Sequence, residues 1–333
     1  MDSQPKTLQQ ATVYFADPQN CVDFLVARRW PDGVVKCPLC GREGAKYIPA
    51  RRVWQCKTRH PGSQFSIKVG TIFEDSALPI DKWLMAMWMV ANCRNGVSSH
   101  EIMRTIGVTQ KSAWHMLHRI RLAMKDEPES KMGGKDNEPI EVDESFVGGK
   151  VKNMHRKKVH AMRRENAENA KDGLDTTYKD NKVPVMGIFD RESRQVRAKV
   201  IADVKRETLQ AEILRNIEHG SKVFTDSARA YDLMRYDGYI HKAVNHAERY
   251  VQGQVHTNSL ENFWSLMKRN LSGTYVAVEP FHLDRYLDEQ MFRFNNRIGH
   301  SDATRFDKLV SQIVGRRLTY AELTGKESGE RAN

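Results

Sequence analysis

Cys37 and Cys40 stand in CPLC with two residues between them, and after fifteen intervening residues Cys56 and His60 follow in CKTRH. Three thiolates and an imidazole on two turns are the donor set of a tetrahedral Zn2+ site, because sulfur and ring nitrogen suit this borderline-soft ion. With all four positions filled by protein, the ion is expected to hold a small ribbon together rather than to catalyse. Cys21 and Cys93 match no such spacing and are expected to be buried apolar thiols.

A second set of chemical residues is acidic. Asp143 lies in IEVDESFVGG, an apolar and β-branched run, and Asp226 lies near the end of KVFTDS, a short strand pattern. Glu261 lies in HTNSLENFWSLMKRN, where Leu260, Phe263, Trp264 and Met267 recur at helical spacing. Acids at the ends of two strands with a third on a flanking helix supply hard oxygen ligands on rigid elements, which is what a pair of Mg2+ or Mn2+ ions requires. One ion would activate an attacking water or sugar hydroxyl, and the other would stabilise the leaving oxygen of an in-line phosphoryl displacement. Asn258, Glu261, Ser265 and Lys268 fall at offsets of three, seven and ten, so they share one helix face and Lys268 can reach a phosphate near Glu261. Glu144 is expected to point to the opposite sheet face from Asp143, since side chains alternate along a strand.

The chain that must position these groups has 333 residues, 40% hydrophobic and 29% charged, enough for two or three domains. Its formal net charge of +11 favours a polyanionic partner, because clustered cations release phosphate counterions on binding. The most apolar uninterrupted stretch, Trp83 to Cys93, is about half of the roughly 20 residues that cross a bilayer, and the first residues lack a basic-then-apolar signal pattern. A soluble, cytoplasmic protein without a membrane partner is expected. Residues 1–36 read as a helical segment ending in CVDFLVARRW, 37–75 as the ribbon and 76–127 as helical. KDEPESKMGGKDNEP lacks apolar periodicity and reads as a linker over 128–139. From Ile140 the order is strand, strand, strand, helix, strand, which predicts an α/β domain with a mixed sheet flanked by helices, spanning 140–315. A C-terminal tail is expected over 316–333, and its closing GKESGERAN, which has no core-forming residues, is expected to fray.

Within the helical module, Ser98 with Glu101 forms a capping-box pattern, Gly107 ends the first helix and Thr109 caps a second. This matches a helix-turn-helix unit, in which Lys111, His115, Arg119 and Arg121 are expected to remain exposed and meet DNA. The insertion at 148–182 holds eight Lys or Arg and two Glu over 150–171. It is expected to be a solvated, mobile loop that grips backbone phosphate through Lys150, Lys152, Arg156, Lys157 and Lys158, and Lys268 and Arg269 add to that set.

The stretches CPLCG, QFSIKVGTIFEDS, GVTQKSAWHMLHRIR, IEVDESFVGGK, FTDSARAY, HTNSLENFWSLMKRNLSGTY and HLDRYLDEQMFRFNNR occur in that order. From Cys37 to about Arg297 the chain thereby resembles the bacterial insertion-sequence transposases with an N-terminal zinc ribbon and a ribonuclease-H-like catalytic domain of the acid-triad (DDE) class. The resemblance implies a ribonuclease-H-like fold with Asp143, Asp226 and Glu261 as divalent-cation ligands. It leaves Asn258, one turn earlier, as an alternative third ligand, and makes Lys268 the helix lysine. It further implies two Mg2+ or Mn2+ ions, structural Zn2+, binding of terminal inverted repeats and target DNA, 3′-end cleavage with strand transfer, and at least a dimer in the active complex. A structure-selective nuclease and a non-catalytic zinc-ribbon regulator of DNA are the alternative readings.

Overall fold

Thr7 and Asp17 each turn a side-chain oxygen onto a backbone N–H of the following turn, at 3.3 Å to Gln10 and 2.8 Å to Gln19. These caps start α1 (Leu8–Phe15) and α2 (Pro18–Arg29), the latter with proline where a missing N–H costs nothing. The computed structural model describes residues 4–126, 130–148, 156–171, 182–226, 231, 238–244, 255–276 and 278–325. Two compact units emerge, Met1–Asp126 with Asn296–Asn333, and Glu127–Asn295.

In the first unit β1 (Lys46–Ile48), β2 (Val53–Gln55) and β3 (Gln64–Ser66) pair antiparallel in that order. Trp54 opposes Tyr47 on one side and Phe65 on the other, and its ring also meets Trp30 at the end of α2. There follow α3 (Ile80–Asn92), α4 (Ser99–Ile106) and α5 (Gln110–Met124). The helix-turn-helix punctuation is as the sequence reads. Ser98 and Glu101 form a reciprocal capping box, Gly107 takes the left-handed conformation at φ +62°, and Thr109 accepts from Ser112 N–H.

The second unit contains β4 (Ile140–Val147), α6 (Arg156–Lys171), β5 (Val183–Asp190), β6 (Gln195–Val200), α7 (Arg206–Asn216), β7 (Lys222–Asp226), β8 (Ile240–Val244), α8 (Asn258–Asn270) and α9 (Leu283–Asn295). The strands form a five-stranded mixed sheet in the order β6-β5-β4-β7-β8. The β6-β5-β4 half is antiparallel, and the β4-β7-β8 half is parallel. That is the ribonuclease-H-like order. One face packs Ile140, Val142 and Ile188 against Leu209 and Ile213 of α7, and the other packs Val185 and Phe189 against Leu260, Phe263 and Trp264 of α8. Along β6 the backbone N–H groups of Val196, Ala198 and Val200 donate to Asn295, Met291 and Asp284 of α9. A strand period of two thus meets one helix face, and the sheet edge is closed to further strands.

Two expectations differ here. β8 carries polar residues between its apolar ones and gave no strand signal, and the basic insertion expected as a loop contains α6. Its run RKKVHAMRRENAENAK is built of Lys, Arg, Ala, Met and Glu, which favour helix on their own.

Beyond Asn295 the chain rejoins the first unit. In α10 (Asp302–Ser311), Phe306 is buried against Phe15, Phe24 and Trp88, and Ile313 O accepts from Ile72 N–H at 3.1 Å. The second unit therefore ends at Asn295 rather than at residue 315. The segment expected as a C-terminal tail carries α11 (Tyr320–Thr324), capped by Thr319 and Glu322, and all but the first residue of GKESGERAN lies outside the described residues.

Candidate active site and metal centres

In the ribbon, Cys37 Sγ lies 3.5 Å from His60 Nε2, and Cys40 Sγ lies 3.6 Å from Cys56 Sγ. All four donor atoms fall within 4.8 Å of one another. Bonds of about 2.3 Å to a tetrahedral zinc would place two sulfurs roughly 3.8 Å apart, so the residues fit the ion. His60 Nδ1 pairs with Pro61 O at 2.8 Å, which leaves Nε2 for the metal. Burial pushes the Cys37 thiol up, but the backbone at Cys40 and Leu39 and the neighbouring thiols outweigh it and bring it down to about 7, toward the thiolate that binds metal. The other cysteines part company: Cys21 is buried as expected, whereas Cys93 is exposed.

The acidic site begins with sheet register. β4 and β7 pair in parallel through Ile140↔Val223 and Glu141↔Phe224, and two further places along that register set Asp143 opposite Asp226. The crevice at the carboxyl ends of parallel strands is where an open α/β sheet offers a ligand site. Among the described residues, carboxylate oxygens of Asp143, Glu144 and Asp226 lie within 4.8 Å of one another. Glu144 corrects the sequence expectation. On a regular strand it belongs to the opposite face, yet at the place where β4 and β7 cease to pair its longer side chain brings its carboxylate to the same site. Its Oε1 is shut from solvent with no hydrogen-bond partner, an orphaned acceptor that a cation would satisfy.

Burial raises the Asp143 carboxyl to about 6, with the charges of Asp226 and Glu261 adding and the Trp264 indole opposing. Burial, then Asp226 and Asp143, raises Glu144 to about 8. Such groups keep their protons in the folded state at a pH where the unfolded chain has released them, so the folded state loses stability as pH rises. In metal-free protein the second unit should therefore melt at lower temperature as pH rises from about 4 through 6 for Asp143 and on through 8 for Glu144. Millimolar Mg2+ should restore most of that loss, because the cation binds only the ionised acids. Thermal melts at several pH values, with chelator and with Mg2+, check this, and a midpoint that climbs with pH without metal would contradict it.

Glu261 and Asn258 are exposed on α8. Glu261 is near enough for its charge to raise Asp143, but it is not part of the set within 4.8 Å. The sheet ends thus bring Asp143 and Asp226 together, while the helix acid Glu261 stands further out. Lys268 and Arg269 are exposed on the same helix.

Two contacts that sequence reading missed hold α8 on the sheet. Trp264 Nε1 donates to Asp143 Oδ2 at 2.9 Å. This indole fits because residue 187, opposite Asp143, is glycine: a Cβ there would stand 2.5 Å from the Trp264 ring. Gly187→Ala should displace the indole, destabilise the second unit by about 1–3 kcal/mol and lower its unfolding midpoint. Glu141, wholly buried two places before Asp143, receives Ser259 N–H and Leu260 N–H at the start of α8. The signal available in the sequence was an acid at the i−2 position of the same strand, but nothing local named its partner.

The basic residues expected to meet DNA divide. Arg156 and Lys157 are exposed, Lys150 and Lys152 lie outside the described residues, as does the Lys158 side chain. Arg119 and Arg121 are buried, contrary to expectation. Arg119 donates to Leu318 O at 2.9 Å and Glu74 O at 2.7 Å, so the C-terminal segment covers the face of α5 that a local reading leaves open. His115 is half-buried against Tyr320, and the Lys111 ammonium stands 4.5 Å from that ring centroid while remaining exposed.

Comparison with known proteins agrees with this division. The family described as ISXO2-like transposase domain matches residues 135–295, the last of which also ends the second unit. The transposase zinc-ribbon domain matches residues 17–58. An uncharacterized protein in transposable element ISH50 of Halobacterium salinarum is 30% identical over 285 residues, covering 82% of this chain and 89% of its own length. An uncharacterized transposase-like protein of Haemophilus influenzae is 30% identical over 111 residues, 33% of this chain and 89% of its own length. Among the described residues no helix is long and apolar enough to cross a membrane.

Proposed function

The chain belongs to the insertion-sequence transposases that join a zinc ribbon to a DDE domain, and from that premise we propose that it cuts the 3′ ends of its own element and joins them to target DNA. The observation that carries this reading is the convergence of Asp143, Glu144 and Asp226 at the end of the parallel strand pair. In this reading Asp143 and Asp226 hold divalent cations, and Glu144 turns its otherwise unpartnered oxygen to the same ions. Glu261 adds the helix carboxylate, a charged oxygen being the stronger ligand than the Asn258 amide one turn earlier. Mg2+ or Mn2+, when bound, supplies the charge that activates a water or 3′ hydroxyl and stabilises the leaving oxygen. Lys268, two turns beyond Glu261, and Arg269 take backbone phosphate.

The cation and the DNA phosphate share one electrostatic logic. Three carboxylates this close repel one another and any phosphate, so the site accepts DNA only when divalent charge is present. Hydrolysis at each transferred 3′ end and attack by the freed hydroxyl on target DNA are then the same displacement with different nucleophiles. The ribbon and the α4–α5 module select the ends, with Lys111 the exposed cation of α5 and Arg156 and Lys157 of α6 gripping phosphate. Two ends must be held at once, so the active complex contains at least two copies of the chain.

Incubation of the full chain with Mg2+ and a duplex carrying the element's end tests this. Nicks at the 3′ end of the element and products joined to a second duplex are expected. Cleavage without joining would instead make the protein a nuclease, and intact DNA would leave only a DNA-associated zinc protein.

A further inference from the structure

We propose that Glu141 is a positioning residue for the cation site, acting by clamping the N-terminus of α8 to β4 so that Glu261 stands at the right height beside Asp143. This rests on the reading of Glu261 as a cation ligand. The Glu141 carboxylate is fully buried and all its contacts converge on one junction. Its Oε2 accepts the N–H of Ser259 at 3.0 Å and of Leu260 at 3.2 Å, and its Oε1 accepts Ser259 Oγ–H at 3.1 Å. Arg191 Nε balances the charge at 2.7 Å and reaches on through Nη2 to His256 O at 2.8 Å. The first turn of a helix exposes N–H groups with no internal partner, and a carboxylate there satisfies them while meeting the positive end of the dipole.

Glu141 and Asp143 share one face of β4, and each takes one point on α8: Glu141 holds Ser259 and Leu260, and Asp143 holds Trp264. Two strand residues advance about 6.7 Å. The four residues from Leu260 to Trp264 advance about 6 Å along a helix. The two anchors therefore mark nearly equal lengths on both elements, and α8 cannot slide along β4 without breaking one of them. Glu261 sits between the anchors. A buried ion pair is a poor way to gain stability, since an apolar pair of similar volume does as well or better, whereas it fixes register where a greasy contact would tolerate slippage.

The test is a double-mutant cycle on the full chain, read as Mn2+ affinity by electron paramagnetic resonance without DNA, with Glu141→Gln, Glu261→Gln and both together. Glu261→Gln should weaken Mn2+ binding, and Glu141→Gln should weaken it by at least about tenfold, as outer-shell partners of metal ligands do. The double variant should bind no worse than Glu261→Gln alone, because an anchor has nothing left to place once its ligand is gone. Losses that add in the double variant, or a Glu141→Gln protein that melts lower but binds Mn2+ normally, would overturn the proposal and leave Glu141 a structural residue. Unchanged affinity in Glu261→Gln would overturn the reading on which the proposal rests, and the proposal with it. If Glu141→Gln does not fold, Ser259→Ala replaces it in the same cycle: a smaller loss that vanishes in the Glu261→Gln background supports the clamp, and unchanged affinity overturns it.

Discussion

Asp143→Asn and Asp226→Asn are each expected to lower end cleavage and strand transfer by about a thousandfold or more while binding to end DNA stays within a few fold. On the proposed function either change would remove a charged ligand from the place where two strands converge, and transition-state charge held there would be worth several kcal/mol, with each 1.4 kcal/mol a factor of about ten in rate. The amide is nearly the same size as the acid, and Trp264, which donates to Asp143 Oδ2, can donate to an amide oxygen equally well. Folding should not suffer. Burial and neighbouring acids hold the Asp143 carboxyl at about 6, so ionising it costs the folded state free energy and the neutral amide removes that cost. At pH 8 without metal, Asp143→Asn should melt no lower than the parent chain. Gel assays of cleavage and binding on one preparation, with a thermal melt, measure all three quantities. Loss of activity together with loss of the fold would make Asp143 a structural acid instead.

Removing zinc should have the other large effect, on recognition rather than on chemistry. Cys37→Ser, Cys56→Ser or a strong chelator should unfold the ribbon and weaken binding to end DNA by about a thousandfold, to the level of non-specific duplex. The three short strands bury few large side chains beyond Trp54 and Phe65. Zinc in modules of this size contributes about 10–16 kcal/mol, as much as the whole stability of an ordinary domain. The ion therefore decides whether the ribbon folds. The unit Glu127–Asn295 shares none of these ligands, so its melting transition should stay in place. Calorimetry with and without chelator, beside a gel shift on end and random duplexes, checks both halves.

What the sequence makes legible is whatever its local patterns determine. Ser98, Glu101, Gly107 and Thr109 are cap residues whose chemistry acts within a few positions, and they start and stop α4 and α5 where the spacing says. The cysteine spacing works in the same way, as each pair sits on one turn. Asp143 and Asp226 are legible because strand ends carry sites in sheets of this kind, although only the resemblance joined them to each other. Contacts between distant segments are not legible. Arg119 has the helical phase of an exposed residue, and the carbonyls of Leu318 and Glu74, both far along the chain, take its guanidinium. Phe306 has no local feature to send it back to Phe15, Phe24 and Trp88. Glu144 fails for a different reason: alternation along a strand fixes where Cβ points, not where a flexible carboxylate ends once the neighbouring strand stops pairing.

The site's electrostatics also bear on control of the reaction. On the proposed function, with Glu144 at about 8 and Asp143 at about 6 in the absence of metal, protons would compete with cations for the same oxygens. Such a site is then expected to load cations least in mild acid and to gain them as pH rises, which would make metal requirement and pH profile one property of one cluster.

Diffraction from crystals of the protein soaked in Mn2+, with data collected at the manganese absorption edge, tests the central claim most directly. An anomalous peak bonded at roughly 2.0–2.3 Å to oxygens of both Asp143 and Asp226 is the expected result, with Glu144 turned toward the same ion. Manganese bound only elsewhere, with Asp143 and Asp226 unligated at saturating Mn2+, would contradict the account.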